Sequence, residues 1–193
     1  MATVTGMPPG SLTFVRHAMA VPSEGVHPTQ WPLDELGRRS ARGLAERLEV
    51  GEGVGALVTS TEPKALATAE EIGEVWSVDV VPDARLREAI RPWIGPGYRA
   101  VVHRYLRGEL PEGWEPHEDV ARRTGAAVVD AQARAGDGAV VVVSHGLALA
   151  VHLGARLGPE FDREGFWSYL AFPDAWGLDE QGMLHRADRW ATL

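Results

Sequence analysis

The 193-residue chain has no cysteine. That excludes disulfides, thiolate nucleophiles and cysteine-ligated zinc, and it fits a reducing compartment. Positive charge is scarce too: 19 Lys and Arg stand against 27 Asp and Glu, a formal net charge of −8, and the cations form no local stripe in the sequence. Nucleic acids and anionic membranes attract basic surfaces, so neither is expected as a partner. No run approaches the roughly 18 apolar residues of a membrane helix. The first ten residues hold neither the basic segment nor the apolar core of a secretory leader, so a cytoplasmic address is expected. The seven histidines show none of the i, i+4 spacing of zinc helices, and neither a metal nor a cofactor is expected. What is present, 45% hydrophobic and 24% charged residues, suits a single domain spanning residues 1–193.

Short apolar runs alternate with helical patterns along the chain. Leu12 to Val15 is partly β-branched or aromatic and reads as a buried strand, ending abruptly in Arg16 and His17. Asp34 then caps a helix extending to about Val50. "GALVTS" reads as a strand ending in Thr59 and Ser60, and "TEPKALATAEEIGEVW" as a helix with Pro63 in its first turn. A third strand, Val78 to Val81, leads into a loop holding Arg85, Arg87 and Glu88. Residues 89–116, rich in Trp, Pro and Gly with one short helical piece, read as a lid or insertion over the sheet. After another helix, four valines run into Ser144, His145 and Gly146 and a further helix. "FWSYLAFP" is expected as a final strand, followed by a hairpin across "WGLDEQGMLHRADRW". This alternation predicts an α/β/α sandwich around a mostly parallel sheet.

Three strand ends therefore converge on one edge, where ligands of open α/β sheets bind. Two histidines, an arginine and two helix N-termini describe an anion site, and Lys64, one turn into its helix, can face the same edge. Thr59 and Ser60 read as helix caps that contribute oriented amides. A phosphoryl group is the natural guest. An imidazole among cations disfavours its protonated form and can attack phosphorus. Glu88 is the best-placed acid for the departing oxygen, with a surface pairing to Arg85 or Arg87 as the alternative. Arg91 or Arg87 is a reserve phosphate cation, and Trp31 and Trp93 flank the expected mouth as substrate walls.

In "VRHA", the "TSTEPKALATA" segment, "LRE" and "VVVSHG", taken in that order, the chain resembles the histidine phosphatase superfamily, the phosphoglycerate mutase-like proteins, over about residues 11 to 150. The resemblance implies His17 as nucleophile, Arg16 as phosphate ligand, His145 as the second histidine stabilising the transferring group, and Glu88 as proton donor. It implies metal-independent phosphatase chemistry through phosphohistidine, on a small phosphorylated substrate. A mutase-like phosphotransferase and a non-catalytic phospho-ligand binder remain the alternatives, and monomer and homodimer are both open. Two positions depart from the family pattern: Ala18 replaces a glycine, and Lys64 replaces a second phosphate-binding arginine.

Overall fold

The computed structural model describes residues 7–48, 53–179 and 181–187. Its centre is a six-stranded sheet of β1 (Leu12–Arg16), β2 (Val54–Thr59), β3 (Val80–Pro82), β4 (Ala139–Ser144), β5 (Asp174–Leu178) and β6 (Leu184–Arg186), in the order β3-β2-β4-β1-β5-β6. The first four strands in that order are parallel, β5 pairs antiparallel with β1, and β6 pairs antiparallel with β5. The helices are α1 (Glu35–Arg47), α2 (Pro63–Trp76), α3 (Tyr98–Leu106), α4 (His117–Ala135), α5 (Gly146–Leu157) and α6 (Arg163–Tyr169).

Period-two alternation along the strands separates the two faces. Phe14, Val58, Val140 and Val142 join one apolar cluster with residues of α3, α4 and α5. Val15, Leu57, Val141 and Val143 join another with Leu44 and Ala45 of α1 and Ala65, Ala69 and Ile72 of α2. Both faces of β4 are covered, which explains its unbroken valine run. The fold is thus the expected layered α/β arrangement. Asp34 caps α1 by accepting from the Gly37 N–H at 2.8 Å, as its position before the helical pattern suggests.

Two expectations are corrected. "FWSYLAFP" begins as the end of α6 rather than as a strand: Asp162 accepts from the Gly165 N–H, and Phe166 and Leu170, four apart, are the buried residues of this segment. A cap and an i, i+4 buried pair outweigh the β propensity of the aromatics. The third strand is shorter and lies later than expected. It pairs with β2 only through Val80, Val81 and Pro82, and proline is tolerated there because β3 is a sheet edge. The hairpin is present as β5 and β6. The expected ends of the first helix at Val50 and of the hairpin at Trp190 lie outside the described residues.

Candidate active site

Parallel register aligns the strand ends. Arg16 stands opposite Ser144, and Thr59 opposite Val143, so the residues that follow, His17, Ser60 and His145, meet beyond one edge of the sheet. A cavity of about 220 Å³ opens there. Arg16, His17, Lys64, Glu88, Arg91, Trp31, Trp93 and Gly146, all singled out from the sequence, line it. His145 is fully buried beside it, its ring edge-on to that of His17 with centroids 5.1 Å apart.

The His17 Nδ1 lies 2.7 Å from the Ala18 carbonyl oxygen. A carbonyl can only accept, so Nδ1 carries the proton and Nε2 keeps its lone pair. Burial, followed by the charges of Lys64, Arg16 and Arg91, holds this imidazole down at about 3, against a backbone hydrogen bond that favours the charged form. Burial likewise pushes His145 well below its ordinary value, assisted by His17, Lys64 and Arg91. Two neutral imidazoles therefore sit among cations. The His145 Nδ1 has no hydrogen-bond partner among the described residues.

Arg16 is fixed from two sides. Its guanidinium lies 3.4 Å from the centroid of the Phe172 ring and donates to the Leu170 carbonyl at 2.8 Å, while burial lowers its basicity to about 10. A side chain on Gly146 would press on Trp167 at 3.0 Å and Arg16 at 3.4 Å, which accounts for glycine at the start of α5. Ala18 lies fully buried in a small-residue cluster with Ala20, Leu33, Ala41 and Ala67. Its N–H donates to the Thr68 hydroxyl at 3.0 Å, and that hydroxyl donates to the Lys64 carbonyl. Alanine thus fits where the family pattern has glycine.

Glu88 is not paired with Arg85 or Arg87, which bind Asp83 with Asp130 and Glu115 respectively. Its carboxylate instead accepts the Ala148 N–H at 2.8 Å and the Leu147 N–H at 3.2 Å, at the positive end of α5, as well as its neighbour Ala89 N–H.

Thr59 and Ser60 do not cap α2: the N-cap position belongs to Glu62, which makes no side-chain cap bond. Both are fully buried outside the cavity lining. Ser60 serves another purpose, its hydroxyl lying 2.8 Å from His145 Nε2 and accepting the Glu62 N–H at 3.2 Å.

Two residues escape the sequence reading. Glu62, buried in the cavity wall, binds the Lys64 ammonium at 2.5 Å, accepts the Glu88 N–H at 2.8 Å and lies 3.6 Å from His145. Lys64, the only lysine of the chain, also donates to the Pro28 carbonyl at 2.8 Å. It is therefore a buried, held cation rather than a solvated one. Arg123 on α4 grips the loop that carries Glu88. It donates to the carbonyls of Arg85 and Arg87 at 2.7 Å and of Glu88 at 3.2 Å, and binds Glu115 through two nitrogens. The Glu62 spacing to Lys64 was visible as "EPK"; nothing local signals the Arg123 contacts, whose carbonyl partners lie 35 to 38 residues away. Among the described residues no group of three or more His, Asp or Glu could hold a metal ion.

The arrangement is a cationic pocket with an unprotonated imidazole nitrogen, carried on a chain that resembles known proteins in sequence and fold. The probable phosphoglycerate mutase GpmB of Yersinia enterocolitica is 28% identical over 139 residues, 66% of this chain and 64% of that protein, so the match spans just under two thirds of the relative's length. GpmB of Proteus mirabilis matches to the same extent. The mycobacterial glucosyl-3-phosphoglycerate phosphatase in complex with VO3 superposes with a TM-score of 0.71 at 25% identity, covering 91% of this chain and 96% of that one. Bacillus stearothermophilus YhfR gives 0.70 at 28% identity, covering 92% and 95%. Residues 12–170 match the histidine phosphatase superfamily (branch 1), and the chain belongs to that superfamily.

Proposed function

We propose that the protein is a phosphatase that hydrolyses a small phosphomonoester through a phosphohistidine at His17, without a metal. The observation that carries this reading is the His17 hydrogen bond to the Ala18 carbonyl, which leaves Nε2 as a lone pair on a ring lining the cavity. Nε2 attacks phosphorus as the ester P–O bond breaks, and Glu88, entering this step as the carboxylic acid and leaving it as the carboxylate, gives its proton to the departing alkoxide. Water then attacks the phosphohistidine, Glu88 takes up the water proton, and phosphate is released with Nε2 restored. Arg16, Lys64 and Arg91 stabilise the charge spread over the phosphoryl oxygens, and His145, buried behind the lining, packs edge-on against the His17 ring.

The likeness to a phosphatase in complex with VO3 supports hydrolysis. The likeness to GpmB favours a second reading, transfer of the phosphoryl group to another hydroxyl. Acid-quenched turnover should trap phosphate on His17, and supplying a competing alcohol should still yield inorganic phosphate as the main product. A phosphorylated alcohol as the main product would establish the transferase instead, and absence of turnover on every phosphomonoester would leave only a phospho-ligand binder. Activity is expected to persist in EDTA. A cytoplasmic location fits the cysteine-free composition, and among the described residues no helix is long and apolar enough to cross a membrane.

A further inference from the structure

We infer that the alcohol half of the ligand is apolar and about the size of one aromatic ring, with no second phosphate or carboxylate. This rests on the phosphatase reading for its turnover, but the binding preference follows from the cavity itself.

The cavity divides into two chemistries. Its cations, Arg16, Lys64 and Arg91, all act on His17 and so gather at the histidine end. Phe172 and Trp167 pack beside Arg16 at that end, and the wall away from it is made largely of Met19, Trp31 and Trp93. Met19 is 56% exposed and Trp93 47% exposed. Two large apolar side chains facing water at the mouth of a phosphate pocket gain free energy when a ligand covers them with apolar surface. Trp31 and Trp93 meet edge to face, with centroids 5.6 Å apart, which presents an aromatic corner to a flat guest.

Most polar side chains of the uncharged wall are already engaged, leaving the indole N–H groups of Trp93 and Trp167 as its free donors among the described residues. The Thr29 hydroxyl pairs with His27 at 2.9 Å, Trp31 Nε1 donates to the Val26 carbonyl at 2.9 Å, and the Tyr98 hydroxyl is hydrogen-bonded to Arg91. A sugar entering here would give up water around several hydroxyl groups with few side chains to replace it, and a polar group buried without a partner is costly. Size imposes a second limit. An apolar cavity of about 150 Å³ accepts benzene, so 220 Å³ suits a phosphoryl group with one ring. Charge imposes a third. Beyond Trp31 and Trp93 lies an open depression whose described lining holds Glu24 and His27 and no arginine or lysine, so a second anionic group would find no fixed cation there.

The test compares 2-phenylethyl phosphate with ethyl phosphate, both alkoxide leaving groups, and with glucose 6-phosphate and 3-phosphoglycerate. For the phenylethyl ester, kcat/KM should exceed that for the ethyl ester about 30-fold, the gain from burying one ring, and the two polar esters should fall at or below the ethyl level. Trp93→Ala, at a half-exposed position the fold can spare, should cut the phenylethyl-to-ethyl ratio to about threefold through KM. Met19→Ser should lower it less. A wild-type ratio near one, or preference for either polar ester over phenylethyl phosphate, overturns the inference. Calorimetry with 3-phenylpropylphosphonate and propylphosphonate keeps the two readings separate. If no ester is turned over, the phosphatase reading fails, while tighter binding of the phenyl compound still supports the ring-sized subsite and equal binding removes it.

Discussion

At the floor of the cavity, His17 and His145 continue two neighbouring parallel strands, and each charged group beside them is gripped by a carbonyl, an amide or an opposite charge. At its mouth, Met19, Trp31 and Trp93 come from connecting segments, and Met19 and Trp93 show about half their surface to water. The floor inherits its geometry from sheet hydrogen bonds, which are hard to deform, whereas the mouth can change residue by residue without disturbing them. Reaction and selectivity are thereby placed on separate parts of the chain, and substitutions at the floor should cost far more than those at the mouth.

The sharpest contrast comes from His17→Ala. It should lower turnover by roughly 10⁴-fold or more on every substrate, because the covalent route disappears; substantial residual activity would take the nucleophile role from His17. Glu88→Gln should follow, with a loss of about 10²-fold on alkyl phosphates and much less on aryl phosphates, whose leaving groups need no proton. Equal losses would place the acid elsewhere. Arg123→Gln should reproduce the leaving-group dependence of Glu88→Gln in weaker form, since it releases three loop carbonyls without touching the cavity. Uniform loss on alkyl and aryl esters would reduce Arg123 to a stabilising role.

Lys64→Ala removes one held cation and should weaken vanadate binding by about 1.5–3 kcal/mol, the worth of a charged hydrogen bond. Lys64→Arg tests whether the Glu62 and Pro28 contacts leave space for a guanidinium, and recovered vanadate affinity would show that they do. The smallest effect concerns pH. His17 and His152 titrate at about 3 and about 4 in the folded protein and near 6.5 when unfolded. The unfolded chain then binds more protons, so stability should fall as pH drops below about 6.5, by about 1 kcal/mol per histidine over the first pH unit. His152→Gln, outside the cavity lining, should flatten that slope in urea denaturation at two pH values.

The strand ends can be read from sequence because period-two burial and abrupt polar endings are local signals. So are the Asp34 cap and the Lys64 position one turn into its helix. Position 62 is harder. A glutamate before Pro63 reads as a favourable charge at a helix start, and only the fold shows it turned toward Lys64 and His145. Arg123 lies on a helix whose amphipathic pattern hides one buried cation among exposed ones, and its partners are main-chain carbonyls that no side-chain code announces. The segment after Asp162 misleads for the opposite reason: its aromatic residues carry strong β propensity, but tertiary packing of Phe166 and Leu170 decides for helix.

The burial of Lys64 also matters for labelling chemistry. Every other basic side chain apart from the histidines is an arginine, so apart from the amino terminus the molecule has one primary amine, and that amine lines the cavity. Acylating reagents and aldehydes with borohydride would have a single side-chain address, shielded whenever an oxyanion fills the site. Because Glu62 and the Pro28 carbonyl hold that amine, labelling should be slow even in an empty pocket, and the further slowing by a bound oxyanion reports occupancy without turnover or a coloured substrate.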